Sequence, residues 1–347
     1  MELYDQKFDF RDERNLSLVM DFYELTMSQC YFNSKTKDKI VTFDLFYRKN
    51  PDQGGYAVFA GLEEVIGYIQ KLHFTKEDIS YLHSLKRFSE AFLQYLSEFR
   101  FTGDIYAVKE GTPVFPNEPL IRVKAKLIDA QLIETALLLC VNHQTMIATK
   151  ARRIVRAAGG RAIMELGACR AHNFDAANFG ARAAYIGGVA GTATTYAGQK
   201  FKMPVLGTMA HSFVQSFDSE YEAFLTYAQS YPESCTVLLD TYDTLHSGLP
   251  NAIKVAKQYL EPNGYRLAGV RIDSGDIAYL SKKIRKALDG AGMQDCSIVV
   301  SNSLDEYLIT SLISQGAQIN SMGVGENLVC SKSTPVFGGV YKLSSVF

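Results

Sequence analysis

From about residue 159 onward, apolar and polar positions alternate in blocks. Short apolar runs, "RAIMELG", "MPVLGT", "CTVLLDTYD", "LAGVRIDSGD", "SIVVSNS" and "INSMGVG", are separated by stretches of helix length. Short continuous apolar runs predict strands buried on both faces, and the longer periodic stretches between them predict helices. Repetition of strand and helix predicts parallel strands joined by crossover helices, here a β/α barrel. One helix start is marked more sharply: in "SFDSEYEAF", Ser219 and Glu222 stand at capping-box spacing.

The first part of the chain is patterned differently. "NLSLVMDFYELTMSQCYF" carries apolar residues at helical spacing, and "IVTFDLFYRK" alternates, with Val41, Phe43, Leu45 and Tyr47 on one face. Helices are expected around residues 61–72 and 86–99. "TGDIYAVKEGTPVFPNEPLIRVKAKL" is rich in β-formers and broken by Gly111, Pro113, Pro116 and Pro119, which predicts the hairpins of a small β-rich layer. A long helical stretch then runs from Asp129 to Ala158 and stops at Gly159-Gly160. The expected organisation is an N-terminal α/β domain over residues 1–128 and a β/α barrel over residues 129–347.

Polar residues collect where the apolar runs of the second part end. Glu165, Thr208 with His211, Asp240 with Asp243, Arg271 with Asp273, Ser301 with Asn302, and Gly323 with Gly325 all lie at or just past such an end. In a parallel barrel these ends converge on one rim, where active sites are built. "GVRIDSGD" illustrates the choice each position poses. Asp273 or Ser274 could cap the helix that follows; alternatively Arg271, Asp273 and Asp276 form a site for a phosphorylated substrate and its metal ion.

Composition narrows the function classes. Apolar residues make up 47% of the 347 and charged ones 21%, so a large core can be buried. A net charge of −1 argues against a broad basic face for nucleic acid. No apolar run reaches membrane-spanning length, and "MELYDQKFDFRDERN" is too charged for a signal peptide. The six cysteines form no C-x-x-C pair and are expected to be reduced thiols of a cytosolic protein, not a zinc site.

The rim residues suit a phosphorylated small molecule. Mg²⁺ prefers carboxylate, water and phosphate oxygens, and Arg271 can clamp a phosphate through two hydrogen bonds. Glycines at 323, 325, 338 and 339 let backbone N–H groups approach phosphate oxygens. His211, after "GTMA", can serve as proton shuttle, nucleophile or phosphate partner. "GVGENL" lacks the Gly-Lys-Ser/Thr ending of a P-loop, and no dinucleotide fingerprint follows a strand.

"DFYELTMSQCYF", "FDLFYRKNPDQGGYAVFAGLEEVI", "EGTPVFPNEPLIRV", "GTMAHSFVQSF", "DTYDTLHSG", "VRIDSGD", "SNSLDE" and "GGVYKL" together resemble the nicotinate phosphoribosyltransferase family in order and spacing, over nearly the whole chain. The resemblance implies an irregular β/α barrel with an N-terminal α/β domain, working as a homodimer with shared active sites. It implies transfer of the ribosyl group of 5-phosphoribosyl-1-diphosphate to nicotinate, coupled to ATP hydrolysis through a phosphorylated histidine and requiring Mg²⁺, in NAD salvage. By motif, Tyr23 resembles a tyrosine that reaches nicotinate from the partner subunit. Thr208 and His211 match the substrate-side threonine and the phosphorylated histidine. Arg271 and Asp273 match a substrate-binding arginine and a carboxylate near ribose or metal, with Asp276 beside them as a metal candidate. Gly323 and Gly325 match phosphate-loop glycines, and Ser301 and Asn302 lie in the matching "SNSLDE".

Three departures accompany the resemblance. Cys169 and Arg170 stand where relatives usually have two arginines, leaving Arg170 to hold the substrate carboxylate. Glu326 stands where many relatives place a phosphate-binding threonine, so a metal or cation has to intervene. The chain ends at Phe347, whereas several relatives continue. Two other functions compete. A nicotinamide-using sibling enzyme would need an aspartate where Ala193 stands, and a catalytically weakened pyridine- or nucleotide-binding protein would keep the pocket without the chemistry.

Overall fold

The computed structural model describes residues 14–347, so the charged N-terminal stretch lies largely outside the described residues. Among the described residues twelve strands are present: β1 Ile40–Tyr47, β2 Ala57–Val58, β3 Asp104–Ala107, β4 Pro113–Val114, β5 Ile121–Lys126, β6 Ala162–Glu165, β7 Gly191–Thr192, β8 Thr236–Leu238, β9 Gly269–Ile272, β10 Ser297–Val300, β11 Ser321–Val324 and β12 Gly339–Val346. They belong to two compact units. One holds the described residues through Thr149 together with Ser333–Phe347; the other is Lys150–Lys332. The boundary expected at 128–129 falls inside the first unit, and the last strand belongs there too.

In the first unit, β12, β1, β5 and β3 form an antiparallel sheet in that order. Alternation fixes its faces: Ile121, Val123 and Ala125 of β5 are buried, while Arg122, Lys124 and Lys126 are exposed. Strand β2 pairs with β4 separately. The helix expected over residues 15–32 begins only at Phe22, and the long stretch from Asp129 breaks into Leu127–Gln131 and Glu134–Ala157. A helix at Lys76–Ser84 fills a segment where none is expected. It starts with a complete capping box between Thr75 and Asp78.

The second unit holds a six-stranded, all-parallel sheet in the order β7-β6-β11-β10-β9-β8. Strands consecutive in the chain are mostly neighbours, and β11 returns to pair with β6. The sheet is extended beyond β7 by a single parallel bridge from Thr192 to Val205. "MPVLGT" contributes only this bridge in place of a strand, and among the described residues the pairing does not close the ring between Val205 and β8. Most apolar side chains of the strands are fully buried, among them Val237, Leu238, Val270, Ile272, Ile298, Val300, Met322 and Val324. Ser219 accepts a hydrogen bond from the Glu222 N–H, so the helix Glu220–Ser230 starts where the capping signal put it.

One close approach positions the loop after β8. A Cβ on Gly248 would lie 2.0 Å from the carbonyl oxygen of Leu239, the residue before Asp240. That neighbour is backbone and cannot rotate away. Gly248→Ala is therefore expected to destabilise the protein by roughly 3 kcal/mol, the upper end for overpacking. Urea denaturation checks this; an unchanged midpoint would show that the loop moves aside freely.

Candidate active site

All six strands of the parallel sheet end along one edge, and the side chains there fall into two clusters. The first lies beyond β8, β9 and β10, which are adjacent. Arg271, inside β9, is its hub. Its Nε donates to Ser301 Oγ at 2.9 Å, and its Nη1 lies 3.2 Å from both Thr208 Oγ1 and the Met209 carbonyl. Its Nη2 lies 3.3 Å from Asp273 Oδ1, which also accepts a short hydrogen bond from Ser301 Oγ. The guanidinium thus joins the end of β9, the end of β10 and the 208–209 segment, as a rigid planar donor can.

The other Asp273 oxygen, Oδ2, lies 3.8 Å from His211 Nε2. A second carboxylate faces the same nitrogen: Asp240 Oδ1 is 3.9 Å away. The His211 Nδ1 contacts Thr241 Oγ1 at 3.1 Å. The Asp240 side chain is only 3% exposed. Its Oδ2 accepts the Asp273 N–H at 2.8 Å and the Ser274 hydroxyl at 2.5 Å, which fixes the turn after β9. Its Oδ1 is buried and has no hydrogen-bond partner. A buried carboxylate oxygen without a partner is costly unless something occupies the space it faces. Asp240 is thus a central member of the cluster. Its sequence signal was the acidic end of "CTVLLDTYD", which equally fits a helix cap.

The second cluster lies beyond the adjacent strands β6 and β11. Arg170 ends the short turn Ala168–Arg170 and is exposed, as is Cys169. Glu326 opens the four-residue helix Glu326–Val329 and pairs with Lys332 Nζ at 2.8 Å. The hydrogen bond and charge of Lys332, with a smaller contribution from Arg170, hold its carboxyl below the usual range.

Several rim residues have structural duties. Asp276 caps the helix Ile277–Gly290 by accepting the Tyr279 N–H at 2.9 Å, so the cap of "RIDSGD" is Asp276, not Asp273 or Ser274. Asp243 caps the turn after β8 through the Leu245 and His246 N–H groups. Glu165 is buried and braces β6 against β7 through Thr192 Oγ1 and the Gly167 N–H. Gly323 is a packing position, because a Cβ there would lie 2.2 Å from Leu166 Cδ1. Gly325 precedes the Glu326–Val329 helix with a negative φ. Gly338 and Gly339 belong to the first unit. Asn302 is exposed in a left-handed turn with φ of 92°, next to the buried Ser301.

Tyr23 lies in the first unit, on the helix Phe22–Phe32, and is 42% exposed. Burial of part of its ring, then the charge of Glu134 and a hydrogen bond to it, hold its phenol well above the usual range. The next residue, Glu24, is fully buried and accepts hydrogen bonds from the N–H and hydroxyl of Thr135. Successive residues of one helix thus grip successive residues at the start of another.

Among the described residues, no group of three or more His, Cys, Asp and Glu side chains is arranged to hold a metal ion. The Asp240 and Asp273 carboxylates nevertheless fit Mg²⁺, which usually takes one or two carboxylates and completes its shell with water and substrate phosphate. The unpartnered Asp240 Oδ1 is the observation behind that fit. No helix among the described residues is long and apolar enough to cross a membrane.

Comparison with known proteins agrees with this layout. The model of the nicotinate phosphoribosyltransferase N-terminal domain matches residues 18–142, and that of the nicotinate phosphoribosyltransferase family matches residues 162–346. A nicotinate phosphoribosyltransferase of Bacillus subtilis (strain 168) is 48% identical over 340 residues, covering 98% of this chain and 69% of that protein. One from Mycobacterium tuberculosis (strain ATCC 25618 / H37Rv) is 42% identical over 94% of this chain and 70% of its own length. The crystal structure of human nicotinic acid phosphoribosyltransferase superposes with a TM-score of 0.86 at 30% identity, covering 94% of this chain and 74% of that one. With both family models matched in order and relatives aligned over nearly all of its length, the chain belongs to the nicotinate phosphoribosyltransferase family.

Proposed function

We propose that the chain joins nicotinate to 5-phosphoribosyl-1-diphosphate at the β8–β9–β10 rim, releasing nicotinate mononucleotide and diphosphate in NAD salvage. The observation that carries this reading is the position of Asp273. One of its oxygens is anchored by Arg271 and Ser301, and the other is left facing His211. As the bond from ribose C1 to the diphosphate oxygen breaks, positive charge builds on the ribosyl ring, and a fixed carboxylate stabilises it. The pyridine nitrogen then bonds to C1. Arg271 and Thr208 supply donors for the anionic leaving group. Asp240 and Asp273 would hold Mg²⁺, which supplies charge neutralisation for the diphosphate when bound.

His211 serves ATP coupling in this reading. In the tautomer whose Nδ1–H donates to Thr241, Nε2 carries the free electron pair. That pair attacks the terminal phosphorus of ATP, the P–O bond to ADP breaks, and a phosphorylated histidine results. Support comes from the geometry of the ring, held at Nδ1 by Thr241, with Nε2 beyond hydrogen-bond distance of the Asp240 and Asp273 carboxylates at 3.9 and 3.8 Å. We place the protein in the cytoplasm as a homodimer, with Tyr23 reaching the substrate of the partner. The free state of all six cysteines supports the compartment. The nicotinamide alternative is not favoured, since Ala193 offers no side-chain acceptor for an amide.

Arg170 is the proposed partner of the nicotinate carboxylate, with Cys169 exposed beside it. A charge-assisted bond to a carboxylate contributes about 1.5–3 kcal/mol. Cys169→Arg is expected to lower the Michaelis constant for nicotinate by about tenfold, the equivalent of 1.4 kcal/mol. Nicotinamide, lacking the carboxylate, should gain little. Steady-state kinetics of wild type, Cys169→Arg and Arg170→Ala test the assignment. A large loss in Arg170→Ala with no gain in Cys169→Arg would give the whole clamp to Arg170; no loss in Arg170→Ala would remove it from the site.

A further inference from the structure

We propose that Cys169 and Cys330 are a modification site, a thiol pair that a peroxide converts into an intramolecular disulfide. The pairing follows from the sheet. Strands β6 and β11 are parallel neighbours in register, with Glu165 opposite Val324. Cys169 follows β6 in the turn Ala168–Arg170, and Cys330 follows β11 directly after the helix Glu326–Val329.

Two contacts bracket Cys169 against the Cys330 segment. On one side, Gly167 packs on Val329, whose Cβ would lie 2.6 Å from a Cβ added to the glycine. On the other, the Cys330 thiol donates to the Arg170 carbonyl at 3.1 Å. A disulfide needs the two Cα atoms within about 7 Å. Cys330 already touches the residue that follows Cys169 in a three-residue turn, so the remaining adjustment is confined to that turn.

The six thiols divide by accessibility. Burial pushes Cys235 and Cys296 up to about 12 and Cys140 well above its ordinary value, so these three stay protonated and unreactive. Cys30 is exposed but lies in the first unit. Cys169 is exposed, whereas the Cys330 thiol is partly covered and engaged with a carbonyl. Cys169 therefore reacts first and Cys330 resolves.

The steps balance with hydrogen peroxide as the two-electron oxidant. The Cys169 sulfur attacks one peroxide oxygen, an S–O bond forms, the O–O bond breaks and water leaves, giving a sulfenic acid. The Cys330 sulfur then attacks the Cys169 sulfur, the S–S bond forms, the S–O bond breaks and a second water leaves. Two thiols have lost two electrons and two protons. The site does not depend on the assignment of the ribosyl-transfer residues.

The test treats the whole reduced protein with hydrogen peroxide, blocks remaining thiols with N-ethylmaleimide, and maps the digest by mass spectrometry without reduction. Two of the six thiols should be lost, and the peptides of Cys169 and Cys330 should appear joined, reversibly with dithiothreitol. Cys330→Ser, which keeps a hydroxyl for the Arg170 carbonyl, should leave a sulfenic acid on Cys169 that dimedone traps. Cys169→Ser should prevent loss of the Cys330 thiol. Dimedone-reactive Cys169 in the wild type with no joined peptide would overturn the proposal, as would a bond from Cys169 to another cysteine or between chains.

Discussion

Asp273→Asn is expected to lower the turnover number by about 10²–10³, the range seen when one preorganised electrostatic contact to a transition state is lost. Asparagine keeps the size of the side chain and still accepts from Ser301 through its carbonyl oxygen. What disappears is the charge, and with it the ion pair at 3.3 Å to Arg271 and the carboxylate oxygen that faces His211. The Michaelis constant for nicotinate should change far less, because the proposed pyridine contacts lie with Arg170 beyond β6. Steady-state kinetics with both substrates varied separate the two effects. Equal losses in turnover and in nicotinate affinity would mean that Asp273 holds the ground state and not the developing ribosyl charge.

His211→Ala should abolish incorporation of phosphate from ATP and remove ATP stimulation, while transfer without ATP continues. Little stability should be lost with it. The imidazole side chain is 39% exposed, and its close contact is the one to Thr241 Oγ1. The measurement is labelling with γ-phosphate-labelled ATP, followed by acid and base treatment to identify an acid-labile phosphoramidate. Undiminished labelling of the alanine variant would show that another residue accepts the phosphoryl group. Because His211 and Asp273 share a contact, their effects should not add: the double variant should be less impaired than the product of the single losses.

Much of this layout was legible in the sequence because parallel strands advertise themselves twice. Each is a short apolar run, and each ends in polar or charged residues that break the run. Arg271, Asp273, His211, Thr208 and Ser301 were singled out in that way, and the structure gathers them around Arg271 and Asp273, with His211 facing Asp273 at 3.8 Å. Which end residue does what was less legible, since a carboxylate at a strand end caps a helix as readily as it faces a substrate. Asp276 and Asp243 are caps, Glu165 is a brace, and Asp240 is the buried member of the site. Only the three-dimensional contacts of each carboxylate distinguish them.

Other features lie outside what a linear pattern holds. The two-residue strand β7 is too short for periodicity and exists because β6 offers it a ladder. The return of β12 to pair with β1 joins residues some 300 positions apart, which local preference cannot announce. Glycines carry the same ambiguity: Gly323 allows Leu166 to pack, a demand set by another strand's loop and invisible in "GVGENL". The partner of Glu326 was implied by charge alone, and its identity, Lys332, follows from the short helix between them.

The most direct measurement is product formation by the purified chain given nicotinate, 5-phosphoribosyl-1-diphosphate and Mg²⁺, with and without ATP. Nicotinate mononucleotide and diphosphate should appear in equal amounts, faster when ATP is present, and nicotinamide in place of nicotinate should give far less product. Failure to form nicotinate mononucleotide from a folded chain under these conditions, or equal turnover of nicotinamide, would contradict the assignment of the β8–β9–β10 rim as a nicotinate phosphoribosyl-transfer site.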